Sequence, residues 1–303
     1  MIADPSSVLL DGPWEHRFVA ANGARFHVAD LGDGPLVLLL HGFPEFWWAW
    51  RHQLLALADA GYRACALDLR GVGASDKPPG GYDGWTVTRD VSGVIRSLGQ
   101  ERAVVVGHGV GGYLAWSLPS FDPAVSAAIG SVGMPHPLVA RRMIARSLGR
   151  TGPQGYLTPR LRPWTKAREL ATDPRVVDDV LREWASPRSA WPSAEESERY
   201  AAAQTIPFAA HASAEYHRWL VRSQAWPDAF RYARRVSAPV PVPALLVRGA
   251  DDPGVGAAEM GASTSLVQGG ATTAVIREAG HFPHEEAPAR FNRALLTWLD
   301  GLA

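Results

Sequence analysis

The residues with the clearest chemical spacing are Gly107-His108-Gly109-Val110-Gly111-Gly112. An apolar run from Ala103 to Val106 leads into them, and Tyr113-Leu114-Ala115-Trp116 continues as a helix would. A sharp strand-turn-helix corner of this kind lifts the residue at its tip above a sheet as a nucleophile. Here the tip is Gly109, which has no side chain. The same glycines also spell GxGxxG, the fingerprint of a dinucleotide loop. That fingerprint requires a carboxylate at the end of the next strand, and Ala127-Ala128-Ile129-Gly130-Ser131-Val132-Gly133 offers none, so the match is read as accidental. Neither HExxH nor paired CxxC occurs, and no metal or other cofactor is expected. The one cysteine, Cys65, lies in an apolar strand-like run and is read as a core residue rather than a nucleophile.

The elements that must hold such a corner follow from periodicity. Strand-like runs at 16–20, 24–29, 36–40, 64–68, 103–107, 127–132 and 244–247 alternate with helical stretches at 48–60, 86–98, 110–120 and 287–302. This order predicts an α/β fold with a mostly parallel central sheet flanked by helices. Asn22-Gly23, between the first two runs, is a hairpin signal and predicts one antiparallel pair ahead of the parallel part. Between Pro137 and Val236 the alternation stops, and patterns such as Val176 to Trp184 and Ala194 to Ala203 are helical without a buried strand. The expected organisation is a core at 1–136 and 237–303 with a helical lid at 137–236.

The 303 residues carry 30 basic and 30 acidic side chains and are 47% hydrophobic. Such a chain can bury a large core, and it has no net field to attract a polyanion, so nucleic acid is not expected as a partner. A small neutral molecule fits better. The longest apolar run is too short to span a bilayer, and no basic region followed by an apolar stretch opens the chain, so no membrane association is expected and the cytoplasm is the default location. A homodimer is left open.

Four further segments carry a resemblance. His41-Gly42-Phe43-Pro44-Glu45 follows a strand, and Asp68-Leu69-Arg70-Gly71-Val72-Gly73-Ala74-Ser75-Asp76 reads DxRGxGxSD. Gly249-Ala250-Asp251-Asp252-Pro253 follows a later strand, and Gly280-His281-Phe282-Pro283-His284-Glu285-Glu286 precedes the last helix. With the corner at 107–112, the chain resembles an α/β-hydrolase of the epoxide hydrolase type over nearly its full length, in the order nucleophile, acid, histidine. The fold implied is the α/β-hydrolase fold with an inserted cap.

In that family an aspartate at the tip opens the epoxide as an ester, which a histidine-activated water then hydrolyses. The resemblance puts Gly109 in the nucleophile slot, His281 in the place of the base, and Asp252, in preference to Asp251, as its orienting acid. The Phe43 and Val110 N–H groups would form the oxyanion hole, which needs only main chain. Tyr156 and either Tyr216 or His217, with Tyr216 preferred, would hydrogen-bond the leaving oxygen. His41, Pro44 and His108 would support the turns, and His284 is read as structural. Trp47, Trp48 and Trp50 are read as helix packing.

Three functions are compatible with these residues. A water activated by His281 and Asp252 could hydrolyse a small, mostly apolar epoxide or ester; a lidded pocket could bind a small molecule without turnover, as a pseudo-hydrolase; or the acid-base pair could serve a lyase or isomerase that needs no nucleophile.

Overall fold

The computed structural model describes residues 3–147, 163–222 and 227–302. Eight strands form one sheet: β1 (Glu15–Ala21), β2 (Ala24–Leu31), β3 (Leu36–Leu40), β4 (Arg63–Leu67), β5 (Ala103–His108), β6 (Ser126–Val132), β7 (Ala244–Gly249) and β8 (Ala271–Ile276). Their spatial order is β1-β2-β4-β3-β5-β6-β7-β8. β1 and β2 pair antiparallel through the Asn22-Gly23 turn, where both residues have positive φ, 44° and 77°, as a two-residue hairpin requires. β2 also meets β4 antiparallel, and from β4 to β8 every pairing is parallel. The central strands are apolar throughout, as strands covered by helices on both faces must be.

Helices α1 (Arg51–Asp59), α2 (Gly84–Ser97), α3 (Val110–Phe121), α10 (Ala257–Thr264), α11 (Pro283–Glu286) and α12 (Pro288–Asp300) belong to the alternating part. Between β6 and β7 run α4 (Pro137–Ser147), α5 (Pro163–Thr172), α6 (Arg175–Trp184), α7 (Ala194–Thr205), α8 (Ala209–Arg222) and α9 (Pro227–Val236), with no strand among the described residues. α5 to α8 pack among themselves, while α4 and α9 return to α3. No described helix is long and apolar enough to cross a membrane.

Three elements differ from the sequence expectation. β8 was not expected, because it is an edge strand of small and β-branched residues whose first three positions are exposed, so it lacks an apolar signature. α10, whose buried residues are only Met260 and Ser263, was missed for the same reason. The expected helix at 48–60 is subdivided, while the one expected at 287–302 is α12. A 3-10 turn over Trp47–Trp50 precedes α1, and Pro288 opens α12 after a break at Ala287.

Candidate functional site

The C-terminal end of β5 turns into α3 at Gly109, which has φ 51° and ψ −117°. A non-glycine residue is strained in this region by about 1–3 kcal/mol. The Gly109 N–H donates to Val132 O (3.0 Å), and Gly109 O accepts from Tyr113 N (3.0 Å), which fixes the turn without a side chain. The neighbouring glycines answer a different demand. A Cβ would lie 2.1 Å from Gly111 O at Gly107, 2.3 Å from Leu40 O at Gly111, and 2.8 Å from Ser131 Oγ at Gly112. At Gly109 a Cβ would meet only Gly42 Cα, at 3.6 Å, which is ordinary contact. Packing therefore dictates glycine at 107, 111 and 112, and leaves room for a side chain at 109.

His281 and Asp252 meet beside this turn. His281 Nδ1 lies 3.0 Å from Asp252 Oδ2, and both side chains are buried. Asp252 Oδ1 accepts from the Gly254 and Val255 N–H groups at 2.8 and 3.0 Å, which locks the carboxylate's orientation. Burial opposes the Asp252 charge, but His281 and those N–H groups hold its carboxyl below the usual range. Burial would likewise lower the His281 pKa, yet Asp252 lifts it above the ordinary imidazole value. The His281 ring lies 4.9 Å from that of His108 and against Gly133, the residues next to the turn on β5 and β6. Asp251 is taken elsewhere: Arg188 and Ser186 pair with it at 2.6 Å each. Ser131 donates to Met134 O.

The loop after β3 brings Gly42 and Phe43 to the turn, and the Phe43-Pro44 peptide is cis. His41 holds the loop by accepting the Leu69 N–H at Nε2 (3.1 Å) and donating from Nδ1 to Gly42 O (2.8 Å). Pro44 O accepts from Gln204 on α7. Behind the loop is a lattice that sequence reading did not assemble. Glu45 Oε2 accepts from Gly42 N (2.8 Å) and faces His108 Nδ1 (2.7 Å), while its Oε1 lies 3.0 Å from His284 Nε2. The Nε2–H of His108 donates to His281 O (2.9 Å), so the lattice ends on the backbone of the base itself. Burial works against the Glu45 charge, but His108 and His284 hold its pKa well below the usual carboxylate range. Glu45, His108 and His284 are also the described group close enough to share a metal ion. At 2.7 Å the His108–Glu45 contact itself has the length of a hydrogen bond.

The inserted helices close the other side. Trp184 at the end of α6 accepts the His281 N–H through its carbonyl (2.8 Å), and its ring stands edge-on to the imidazole. On α8 the two candidates for the leaving oxygen diverge. The Tyr216 hydroxyl donates to Arg70 O (2.9 Å), and its ring packs on Tyr82. His217 stands edge-on to Phe43 at 4.7 Å, with Nδ1 donating to Ser213 O (2.8 Å). Adjacent residues on a helix point about 100° apart, so the two candidates face different neighbours, Tyr216 the Arg70 carbonyl and Tyr82, and His217 the Phe43 ring. Tyr156 lies outside the described residues. Cys65 is fully buried and donates to Asp30, and burial pushes its thiol pKa well up, so it serves the core. Trp47 and Trp50 are fully buried packing residues, and Trp48 lies under the Arg51 guanidinium.

The chain is similar to known proteins over most of its length. The sequence profile of the alpha/beta hydrolase family matches residues 37–294. Epoxide hydrolase A of Mycobacterium tuberculosis is 30% identical over 94% of this chain and 97% of that protein. The AB hydrolase superfamily protein YfhM of Bacillus subtilis is 46% identical, but over only 41% of this chain and 45% of its own length. Among solved structures, an epoxide hydrolase from an endophytic Streptomyces superposes with a TM-score of 0.84 at 29% identity, covering 96% of this chain and 97% of that one. Epoxide hydrolase A from Mycobacterium thermoresistibile follows with 0.82 at 28% identity, covering 95% and 98%.

Proposed function

The chain belongs to the alpha/beta hydrolase family, and from that premise we propose that it is an epoxide-hydrolase-like enzyme for a small, mostly apolar epoxide or ester. In this reading residues 137–236 form the cap over a core of 1–136 and 237–303. Gly109 occupies the nucleophile position, so a covalent ester with the chain cannot form. The observation that carries the reading is the buried His281–Asp252 pair, 3.0 Å apart, set beside a turn that keeps a nucleophile-bearing conformation without the nucleophile.

In this reading each step has a group to carry it. With Nδ1 held by Asp252, Nε2 of neutral His281 accepts a proton from water as that water attacks the ring carbon or the ester carbonyl. The imidazolium that forms is stabilised by the adjacent carboxylate. Protonated His217, whose Nδ1–H is held by Ser213 O, with Tyr156 as a second donor, gives its other ring proton to the epoxide oxygen as that oxygen's bond to carbon breaks. For an ester, the developing oxyanion falls to the Phe43 and Val110 N–H groups, neither of which has a hydrogen-bond partner among the described residues.

The test is turnover of styrene oxide and of a short ester in ¹⁸O-water. Incorporation of label, with a loss of about 10²–10⁴-fold in His281→Ala, is the expected result. The rate should rise with pH through a pKa above 6.5, because only neutral His281 can act as base. Binding without turnover would replace this reading with that of a binding protein, and product lacking solvent oxygen would replace it with elimination or isomerisation.

A further inference from the structure

At Gly109 the turn beside His108 and His281 has no side chain of its own. Three observations define what that point can hold. The first is space, since a Cβ at Gly109 meets only Gly42 Cα, at 3.6 Å. The second is a set of main-chain donors: the twelve-residue α3 starts at Val110, and the N–H groups of Val110 and Phe43 have no partner among the described residues. The third is His281, only 5% exposed, whose Nδ1 faces Asp252 and whose Nε2 has no hydrogen-bond partner among the described residues. Nε2 lies on the side of the ring away from Asp252, and the ring itself rests against His108 and Gly133 at the turn. The nearby carboxylates do not compete, because Asp252 is behind the imidazole and Glu45 is bonded to Gly42 N and His108 behind the loop. The point is thus small and offered two main-chain donors, joined by the Nε2–H of His281 when the imidazole is protonated, which is the chemistry of a two-oxygen anion.

We propose that Gly109 makes the elbow a site for a free small monocarboxylate, formate or acetate, which takes the position of the missing side chain and adds to the bound epoxide. The proposal rests on the epoxide-opening reading of the site. One carboxylate oxygen donates a lone pair to a ring carbon and forms a new C–O bond. The epoxide C–O bond breaks, its electron pair moves to the ring oxygen, and that oxygen takes a proton supplied by solvent through the lid donor. Carboxylate, epoxide and one proton therefore become a 2-hydroxyalkyl ester, with no change of oxidation state. The water activated by His281 can then attack the ester carbonyl, whose oxyanion rests on the Phe43 and Val110 N–H groups, and release diol and carboxylate. The carboxylate is regenerated and acts as a diffusible nucleophile. Formate should serve better than acetate, and propionate worst, because the anion must fit against Gly109 Cα.

The experiment uses the native chain, styrene oxide and ¹⁸O-labelled formate in unlabelled water. Label bonded to carbon in the ester or diol is expected, together with a rate that saturates in formate and exceeds the formate-free rate about tenfold or more. No label, or a rate that grows only linearly as it does without protein, overturns the proposal. Gly109→Asp in formate-free buffer separates the two readings. If that variant turns over while formate fails on the native chain, only the carboxylate proposal falls; if both fail, the epoxide-opening reading falls with it. An active Gly109→Asp should also lose all response to formate. Should the variant not fold, as judged by thermal unfolding, the labelling result on the native chain still decides.

Discussion

The two walls of the site are built by different means. The sheet side is held by main chain and by an unbroken set of buried hydrogen bonds, from Asp252 through His281 and His108 to Glu45 and Gly42. The helical side reaches the site through a few side chains and carbonyls, namely His217 on Phe43, Trp184 O on His281, and the Arg51 bridge to α7. The hydrogen bonds of the first wall thus make no use of a side chain at 109. The second wall can change its chemistry one residue at a time.

The largest effect should come from unsettling the sheet side at its acid. Asp252→Asn keeps the shape but offers the imidazole the wrong hydrogen-bonding partner. Turnover should fall about 10²–10⁴-fold with the melting temperature little changed. A loss smaller than tenfold would show that the dyad does not carry the reaction. Glu45→Ala attacks the same wall through stability. It leaves His108 Nδ1 and His284 Nε2 without the carboxylate they face, and should lower stability by about 3 kcal/mol, read by chemical denaturation. If stability is unchanged, the lattice is not what fixes the wall.

A smaller and more selective effect is expected across the site. His217→Phe preserves the edge-on contact with Phe43 while removing a proton donor. Epoxide turnover should fall about 10–100-fold, and ester turnover should hardly move, because an ester develops its charge at the Phe43 and Val110 N–H groups instead. Equal losses on both substrates would assign His217 to shaping the pocket rather than to proton transfer.

Legibility in the sequence follows the same division. The turn at 107–112 and the segments that bring Asp252 to His281 could be read because each is short and marked by local spacing. The Glu45–His108–His284 lattice could not, since three distant loops meet only after the sheet has formed. Tyr216 and His217 show the limit on the helical side. Both residue types suit a proton donor, and only the rotation of α8 decides which of them meets Phe43. β8 escaped because four of its six residues are exposed and carry no burial signal.

The finest contrast lies where the two walls are tied together. Glu285 on α11 is buried, and it receives Arg51 from α1 at 2.6 Å and the Tyr200 hydroxyl from α7, while Arg51 also reaches Glu196 on α7 at 2.7 Å. Burial, aided by the nearby Glu45 charge, pushes the Glu285 carboxyl up to about 7, although Arg51 and Tyr200 pull it the other way. A carboxyl whose folded pKa is raised binds its proton more tightly in the folded chain. Between the ordinary 4.5 and about 7 the folded state holds a proton that the unfolded state has lost, and stability must fall as pH rises through that window. Glu285→Gln removes this proton without removing the shape. Its stability should decline less across the same window, by a difference of about 1 kcal/mol, measured by denaturation at a series of pH values. Parallel curves for the two proteins would mean that Arg51 keeps Glu285 ionised throughout, and that the helical wall is tied to the sheet by charge rather than by a shared proton.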